Sequence, residues 1–117
     1  MQSVTSNAVA RCFIYSVYEV KTGEIWIDGK PIYRLVVQGG IATTGTFVEI
    51  GDMSAYNVAQ MVEMGGVFTQ SGTGYQIDIG NYASGLHYNY PSARKISLYT
   101  SWAGSFNLIF KYTKTTD

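Results

Sequence analysis

The chain has 117 residues, which is enough for one domain with its own core. Its eight basic and eight acidic residues balance, and only 14% of residues are charged, so the basic excess that a nucleic-acid backbone needs is missing. No apolar run approaches the roughly 20 residues that span a membrane, and the N-terminus lacks the features of a signal peptide. We therefore expect no nucleic-acid or membrane partner.

The composition is typical of β structure. Ten Tyr and thirteen Gly accompany only two Pro. Tyr favours strands, and Gly favours turns and bulges. Because Tyr is apolar in its ring and polar at its tip, and because the charges are few, we expect part of the surface to be covered by other chains.

Residues 1–13 are the only predicted helix. Hydroxyl side chains near the start can cap it, and Val9, Cys12 and Phe13 follow the i, i+3, i+4 spacing of one helix face. A helix this short is marginal alone in water, so it must pack on the domain or on other copies of itself. We separate this segment from a β domain at residues 14–117.

The β domain begins with a predicted hairpin. Residues 14–21 are rich in strand formers, and Thr22-Gly23 predicts a turn. The hairpin arms are then 24–27 and 32–38. Asp28-Gly29 between them is typical of a two-residue primed turn, since Gly adopts positive φ without steric cost.

The segment 56–70 has two interpretations. Val58, Met61 and Val62 have helical spacing, whereas alternate residues from Val58 to Met64 also fit one strand face. We favour one long strand with a bulge at Gly65-Gly66, because eight residues is short for a helix and both neighbours are β.

The rest of the chain alternates between short strands and turns. Turns or loops are predicted at 39–45, 71–74, 80–85, 91–94 and 102–105. Strands with alternating apolar residues are predicted at 47–50, 75–79, 86–90, 96–100 and 106–112. Such spacing predicts an all-β fold, an antiparallel β-sandwich resembling a jelly roll.

Catalytic signatures are sparse. Cys12 and His87 are the only residues of their types and could suggest a nucleophile pair, but a small apolar Cys on a helix face is the favoured interpretation. A lone His lacks metal co-ligands, and Gly72-Thr73-Gly74 lacks the helix of a phosphate loop. We predict no cofactor, no metal and no enzymatic activity.

One set of aromatic and polar residues could meet at one end or face of the domain. Aromatic rings beside amides would suit a sugar, because ring faces stack and amides bond hydroxyls. The same residue types suit a subunit interface, which we favour from composition alone. The candidate ligand-binding residues are Tyr82, His87, Asn89, Tyr99 and Trp102.

Three stretches resemble one family. The run from Ser3 to Val9 is similar to the helical element before the terminal head domain of predicted phage and prophage tail-fibre proteins. The run from Tyr15 to Arg34 resembles their Tyr-Ser-x-x-Glu-x-x-x-Gly-x-x-Trp-x-Asp-Gly-Lys-x-Ile-Tyr motif. The ending, 110–117, is similar to their C-terminus. The resemblance covers about half of the chain.

The resemblance implies a virion structural domain at a fibre tip, usually a homotrimer, that adheres without turnover to a bacterial surface glycan or protein. Residues 1–13 would then link the head, 14–117, to the upstream fibre. A fibre-assembly cap with no host ligand and a small polysaccharide depolymerase, using an acid such as Asp78, are the alternatives. The expected subunit-interface residues are Val4, Val9, Cys12, Phe13, Trp26 and Tyr33.

Overall fold

A computed structural model describes residues 14–76, 85–89 and 95–117. These ranges contain one 3-10 turn, Ser54–Tyr56, and no other helix, so no helix there is long and apolar enough to cross a membrane. The predicted helix at 1–13 lies outside them. The strands are β1 (Val20–Ile25), β2 (Pro31–Ile41), β3 (Phe47–Asp52), β4 (Val58–Gln70), β5 (Thr73–Gln76), β6 (Gly85–Asn89), β7 (Lys95–Tyr99) and β8 (Gly104–Lys114).

The strands form two antiparallel sheets. One sheet has five strands in the order β1-β2-β8-β4-β5, and the other has three in the order β3-β7-β6. The long strand β8 is central to the first sheet, because it pairs with β2 on one side and β4 on the other. The all-β prediction is therefore confirmed.

The buried core follows the predicted alternation. In β7, Ile96 and Leu98 are buried between partly exposed neighbours. The corresponding residues of β8 are Phe106, Leu108, Phe110 and Tyr112. Both sets belong to one hydrophobic cluster, so the two sheets share a core.

The opposite face of the five-stranded sheet is covered at one end by Trp26. Its Nε1 donates a hydrogen bond to Oε1 of Gln60 at 3.1 Å. Trp26 follows β1 and Gln60 lies on β4, about 14 Å apart by three strand spacings, so the two side chains together bridge β2 and β8. Ile32 of β2 and Thr113 of β8 are buried.

Strand β4 is a single strand, as predicted, but its irregularities are elsewhere. Val58 pairs with Lys114 and Gln60 with Thr113, so Ala59 is an extra residue. A second shift lies between Met61 and Glu63. The predicted bulge at Gly65-Gly66 is wrong: Gly65, Gly66 and Val67 pair with consecutive residues of β8. The real bulges add two residues to β4 relative to its partner.

The primed turn lies in a different hairpin from the one that was predicted. The loop after β1 has three residues, because the Trp26 and Gly29 amides donate to the Lys30 and Trp26 carbonyls at 2.9 Å. Only Gly29 has positive φ there, as in a type I turn closed by a left-handed residue. The predicted primed turn at Asp28-Gly29 is thus wrong. Ser71 (φ 51°) and Gly72 (φ 82°) instead form one between β4 and β5.

Other boundaries also differ from the predictions, since β5 begins at Thr73 and β8 at Gly104, inside predicted turns. The first strand begins at Val20, because residues 14–19 bend alongside β2. Thr22-Gly23 is a strand irregularity, in which the Thr22 hydroxyl donates to the Ile32 carbonyl at 2.8 Å and accepts from the Glu24 amide. Residues 39–41 belong to β2 and pair with β8. Glycine and hydroxyl residues therefore serve pairing as well as turns in this chain.

Candidate binding surface

Two loops and one turn meet where β2, β4 and β7 end, and we call this the distal end. Ile41 pairs with Gly104, and Phe47 pairs with Tyr99. The loops 42–46 and 100–103 therefore both cross from one sheet to the other here. A hydrogen bond from the Gly45 amide to the Thr100 carbonyl, 2.9 Å, joins them.

The distal end carries an aromatic group, which consists of Phe47, Tyr99 and Trp102. The Phe47 and Tyr99 rings meet edge to face, with centroids 5.5 Å apart and planes at 61°. Trp102 is in the loop that follows Tyr99, and 56% of its surface is exposed. An edge-to-face pair fixes ring orientation, so this group offers a firm apolar platform.

The loops of the distal end are rich in hydroxyl side chains. The loops and the turn at this end supply five exposed Ser and Thr residues: Thr43, Thr44, Thr46, Ser71 and Ser101. A hydroxyl both donates and accepts hydrogen bonds. Rings and hydroxyls together can bind a ligand that is itself apolar on one face and hydroxylated at its rim.

The predicted ligand residues do not all lie at this end. Tyr99 and Trp102 do. In the register of β6 with β7, His87 is opposite Ser97 and Asn89 is opposite Lys95. Asn89 is thus four residues, about 13 Å, further along the sheet than Gly85, the partner of Tyr99. Tyr82 lies outside the described residues.

Sequence reasoning missed Phe47 as a member of the group. Its position is set by the antiparallel register of β3 with β7, which places it opposite Tyr99. The only local signal was that a strand begins with an aromatic residue directly after a Thr-rich loop. That signal does not identify the partner strand.

A second surface lies on residues 14–18, which we call the entry segment. Ile14, Tyr15, Val17 and Tyr18 are all exposed. The segment is nevertheless tied to β2, because Nη2 of Arg34 donates to the Ile14 carbonyl at 2.9 Å and the Val36 amide donates to the Ser16 carbonyl. The Arg34 guanidinium also lies 4.1 Å from the centre of the Tyr15 ring.

Glu19 fixes the end of the entry segment to β8. Its carboxylate accepts hydrogen bonds from the Tyr112 hydroxyl at 2.5 Å and from Nζ of Lys114 at 2.7 Å. Burial and the Glu19 carboxylate raise the pKa of Tyr112. Tyr112 is therefore protonated at neutral pH and acts as a hydrogen-bond donor, so this cluster is structural in character.

The predicted interface residues are placed as follows. Tyr33 stacks on Tyr112, with centroids 6.3 Å apart, and a hydrogen bond to Asp117 raises the pKa of Tyr33 to about 12. Trp26 covers the outer face of the five-stranded sheet, as described above. Both therefore make contacts within the chain. The other four predicted interface residues lie outside the described ranges, namely Val4, Val9, Cys12 and Phe13.

Several of the described acids have local structural partners. Asp52 accepts from the Ser54 amide at 2.8 Å, and this bond, with Lys95 nearby, lowers the pKa of Asp52 to about 2. Lys95 lies 3.3 Å from Asp52 and 3.5 Å from Glu49. Within 14–76, 85–89 and 95–117, no three His, Cys, Asp or Glu residues are grouped to hold a metal ion.

The distal aromatic group and the entry segment are thus two exposed surfaces of different chemistry. The first combines rings with hydroxyls, and the second is apolar and firmly held. No family model, curated protein or solved structure matches the chain, so the functional argument depends on these two surfaces and on the sequence motifs.

Proposed function

We propose that the chain is a non-catalytic head domain of the phage or prophage tail-fibre type, which adheres to a glycan or protein on a bacterial surface. The observation that carries the proposal is the distal aromatic group, where an exposed indole follows a fixed pair of rings and the adjoining loops carry exposed hydroxyls. The motif from Tyr15 to Arg34, which resembles such head domains, adds support.

The chemistry of the distal end suits adhesion. An exposed indole offers a large, rigid area with few rotatable bonds, so little conformational entropy is lost on binding. Each single site would be weak, because an open surface buries only part of a ligand. Several heads on one fibre would act together, and linkage of this kind raises the overall affinity by about 10²–10⁴-fold.

The proposal includes a homotrimer joined to an upstream fibre and carried on the virion, with each head a jelly-roll-like sandwich. The shared core of the two sheets supports the sandwich. The entry segment supports the assembly, because four exposed apolar side chains held by Arg34 and Glu19 form a surface prepared for another chain.

A cell-adhesion assay tests the proposal. Labelled protein should bind host bacteria, and Trp102→Ala should lower binding at least tenfold, because the exposed indole is the largest apolar side chain of the distal aromatic group. The control is Ile27→Ala, a side chain that is 91% exposed in the hairpin loop after β1 and belongs to neither surface, and it should leave binding to cells unchanged. Equal binding by wild type and Trp102→Ala would contradict the assignment of this surface. Release of soluble sugar from capsule or wall by the wild type would contradict the non-catalytic role.

A fibre-assembly cap with no host ligand is the second candidate, and the exposed entry segment is the observation that favours it. Light scattering distinguishes the two functions. The cap predicts that Val17→Ser with Tyr18→Ser dissociates the oligomer while no bacterium or glycan binds the wild type. The adhesin predicts binding by the wild type whatever that double variant does.

A further inference from the structure

We infer that the ligand of the distal aromatic group is an uncharged saccharide, an inference that rests on the proposed adhesive function. The three stretches that build the distal end are 36–48, 64–76 and 97–110. None of them contains an Asp, Glu, Lys or Arg. The chain has sixteen such residues elsewhere, so its charge is strongly segregated.

The described ion pairs lie away from the distal loops. Lys111 pairs with Glu24 at 3.3 Å, and Lys114 pairs with Glu19. Lys111 is six residues along β8 from Ser105, which corresponds to about 20 Å. The nearest charge in strand register is Glu49, two residues beyond Phe47, and it is paired with Lys95 at 3.5 Å.

An anionic glycan would need cations, and the described residues of this end include none. Carboxylate, phosphate and sulfate groups are recognised through charge-assisted hydrogen bonds from Arg and Lys. An ammonium-bearing sugar would in turn need a carboxylate. Binding either of them at the distal end would leave a charge desolvated without a partner, which costs free energy.

An uncharged saccharide matches what the distal end offers. The C–H face of a pyranose can stack on the exposed Trp102 ring or on the Tyr99 edge of the group. Its hydroxyls can exchange hydrogen bonds with Thr43 and Ser101, which are exposed in the two loops of the distal end. Neutral contacts of this kind are not screened by salt, unlike contacts between exposed charges.

A pair of charge insertions tests the inference. Thr44→Lys and Thr44→Glu differ only in the sign of a charge at an exposed loop position. For an uncharged ligand both variants should change binding to bacteria by less than about threefold and in the same direction, because no Coulomb term depends on the sign. Raising NaCl from 50 to 500 mM should alter wild-type binding less than about twofold.

Competition completes the test. Neutral oligomers of glucose, galactose and N-acetylhexosamines should displace the protein from cells, whereas oligomers of uronic acid, sialic acid or sugar phosphates should not. Circular dichroism should show that both Thr44 variants keep the wild-type fold.

Failure of the saccharide inference can be distinguished from failure of the proposed adhesive function. If Trp102→Ala abolishes cell binding, but Thr44→Lys and Thr44→Glu act in opposite directions and acidic oligomers or salt displace the protein, the ligand is charged. The present inference is then overturned and adhesion stands. If the wild type binds neither cells nor any oligomer, adhesion and this inference both fail.

Discussion

Gly66 should be the least replaceable glycine of β4, and Gly65 beside it should be readily replaced. Gly66 has φ +145°, which L side chains rarely adopt, and a Cβ atom there would lie 2.3 Å from the Asn107 carbonyl oxygen. A Cβ on Gly65 would meet nothing within 4 Å. The two substitutions add the same methyl group to the same strand, so they form a matched pair.

The expected changes in the free energy of unfolding have opposite signs for Gly66→Ala and Gly65→Ala. At Gly66, an unfavourable backbone conformation costs about 1–3 kcal/mol. The overlap of the new Cβ atom with the backbone of β8 can be relieved only if β4 and β8 move apart, which costs additional free energy. We expect Gly66→Ala to lower the free energy of unfolding by about 3 kcal/mol or more, a large part of a typical total. Gly65→Ala should raise it by about 0.5 kcal/mol, because Gly weakens strand interiors relative to Ala.

Urea and thermal unfolding followed by circular dichroism measure both effects. A loss of 3 kcal/mol corresponds to a melting temperature lower by roughly 12 °C for a domain of this size. An equal stability of the two variants would show that β4 and β8 can separate at little cost. The close approach of the two central strands would then not be a determinant of the fold.

Three further substitutions test the polar contacts. Thr113→Val should stabilise the protein by about 1 kcal/mol in urea unfolding, because the buried Thr113 hydroxyl has no hydrogen-bond partner among the described residues; a loss of stability would contradict this. Trp26→Phe should cost about 1 kcal/mol through the bond to Gln60, and Trp26→Ala at least about 2 kcal/mol by exposing the sheet. The pKa of Tyr112 is raised above its usual 10.0, so between pH 10 and that raised value only the unfolded state releases the phenolic proton. The contribution of Tyr112 to the free energy of unfolding is therefore complete below pH 10 and decreases above it. The urea midpoint of Tyr112→Phe should therefore fall less between pH 8 and 11 than that of the wild type.

Strands with one buried face could be predicted from the sequence. In β7 and β8 every second residue is apolar, and the irregular pairings insert their extra residues into the neighbouring strands β3 and β4 rather than into β7 or β8. The side-chain period of two is therefore preserved along β7 and β8, and residues of the predicted alternation such as Ile96, Leu98 and Phe106 are buried. A strand without an inserted residue keeps the sequence pattern that predicts it.

The ambiguity of β4 has a physical cause in its two bulges. Each bulge inserts one residue, so core-facing neighbours that would be two apart become three apart. Val58, Met61 and Met64 all belong to or pack on the core at that spacing. A spacing of three is also typical of a helix face, so periodicity alone could not decide between the two structures.

Contacts between residues far apart in the chain could not be predicted from the sequence, for a different reason. The contact of Glu19 with Tyr112 joins residues 93 positions apart, and Trp26 reaches Gln60 across two strands. Both depend on strand order, which the turn signals leave open. For the same reason Tyr99 and Trp102 could be placed together from adjacency in the chain, whereas Phe47 could not.

The distribution of charge is expected to separate the residues that stabilise the fold from those that bind a ligand. The part-buried Glu19 carboxylate contacts Tyr112 and Lys114, and these contacts fix the irregular residues 14–19 to the sheet. The described residues of the distal end carry no such charges, and an uncharged surface with an exposed indole favours association with other molecules. The two tryptophans should therefore respond in opposite ways: Trp26 substitutions should lower stability and spare adhesion per folded molecule, and Trp102 substitutions should do the reverse. A loss of adhesion in folded Trp26→Phe would show that this separation is wrong.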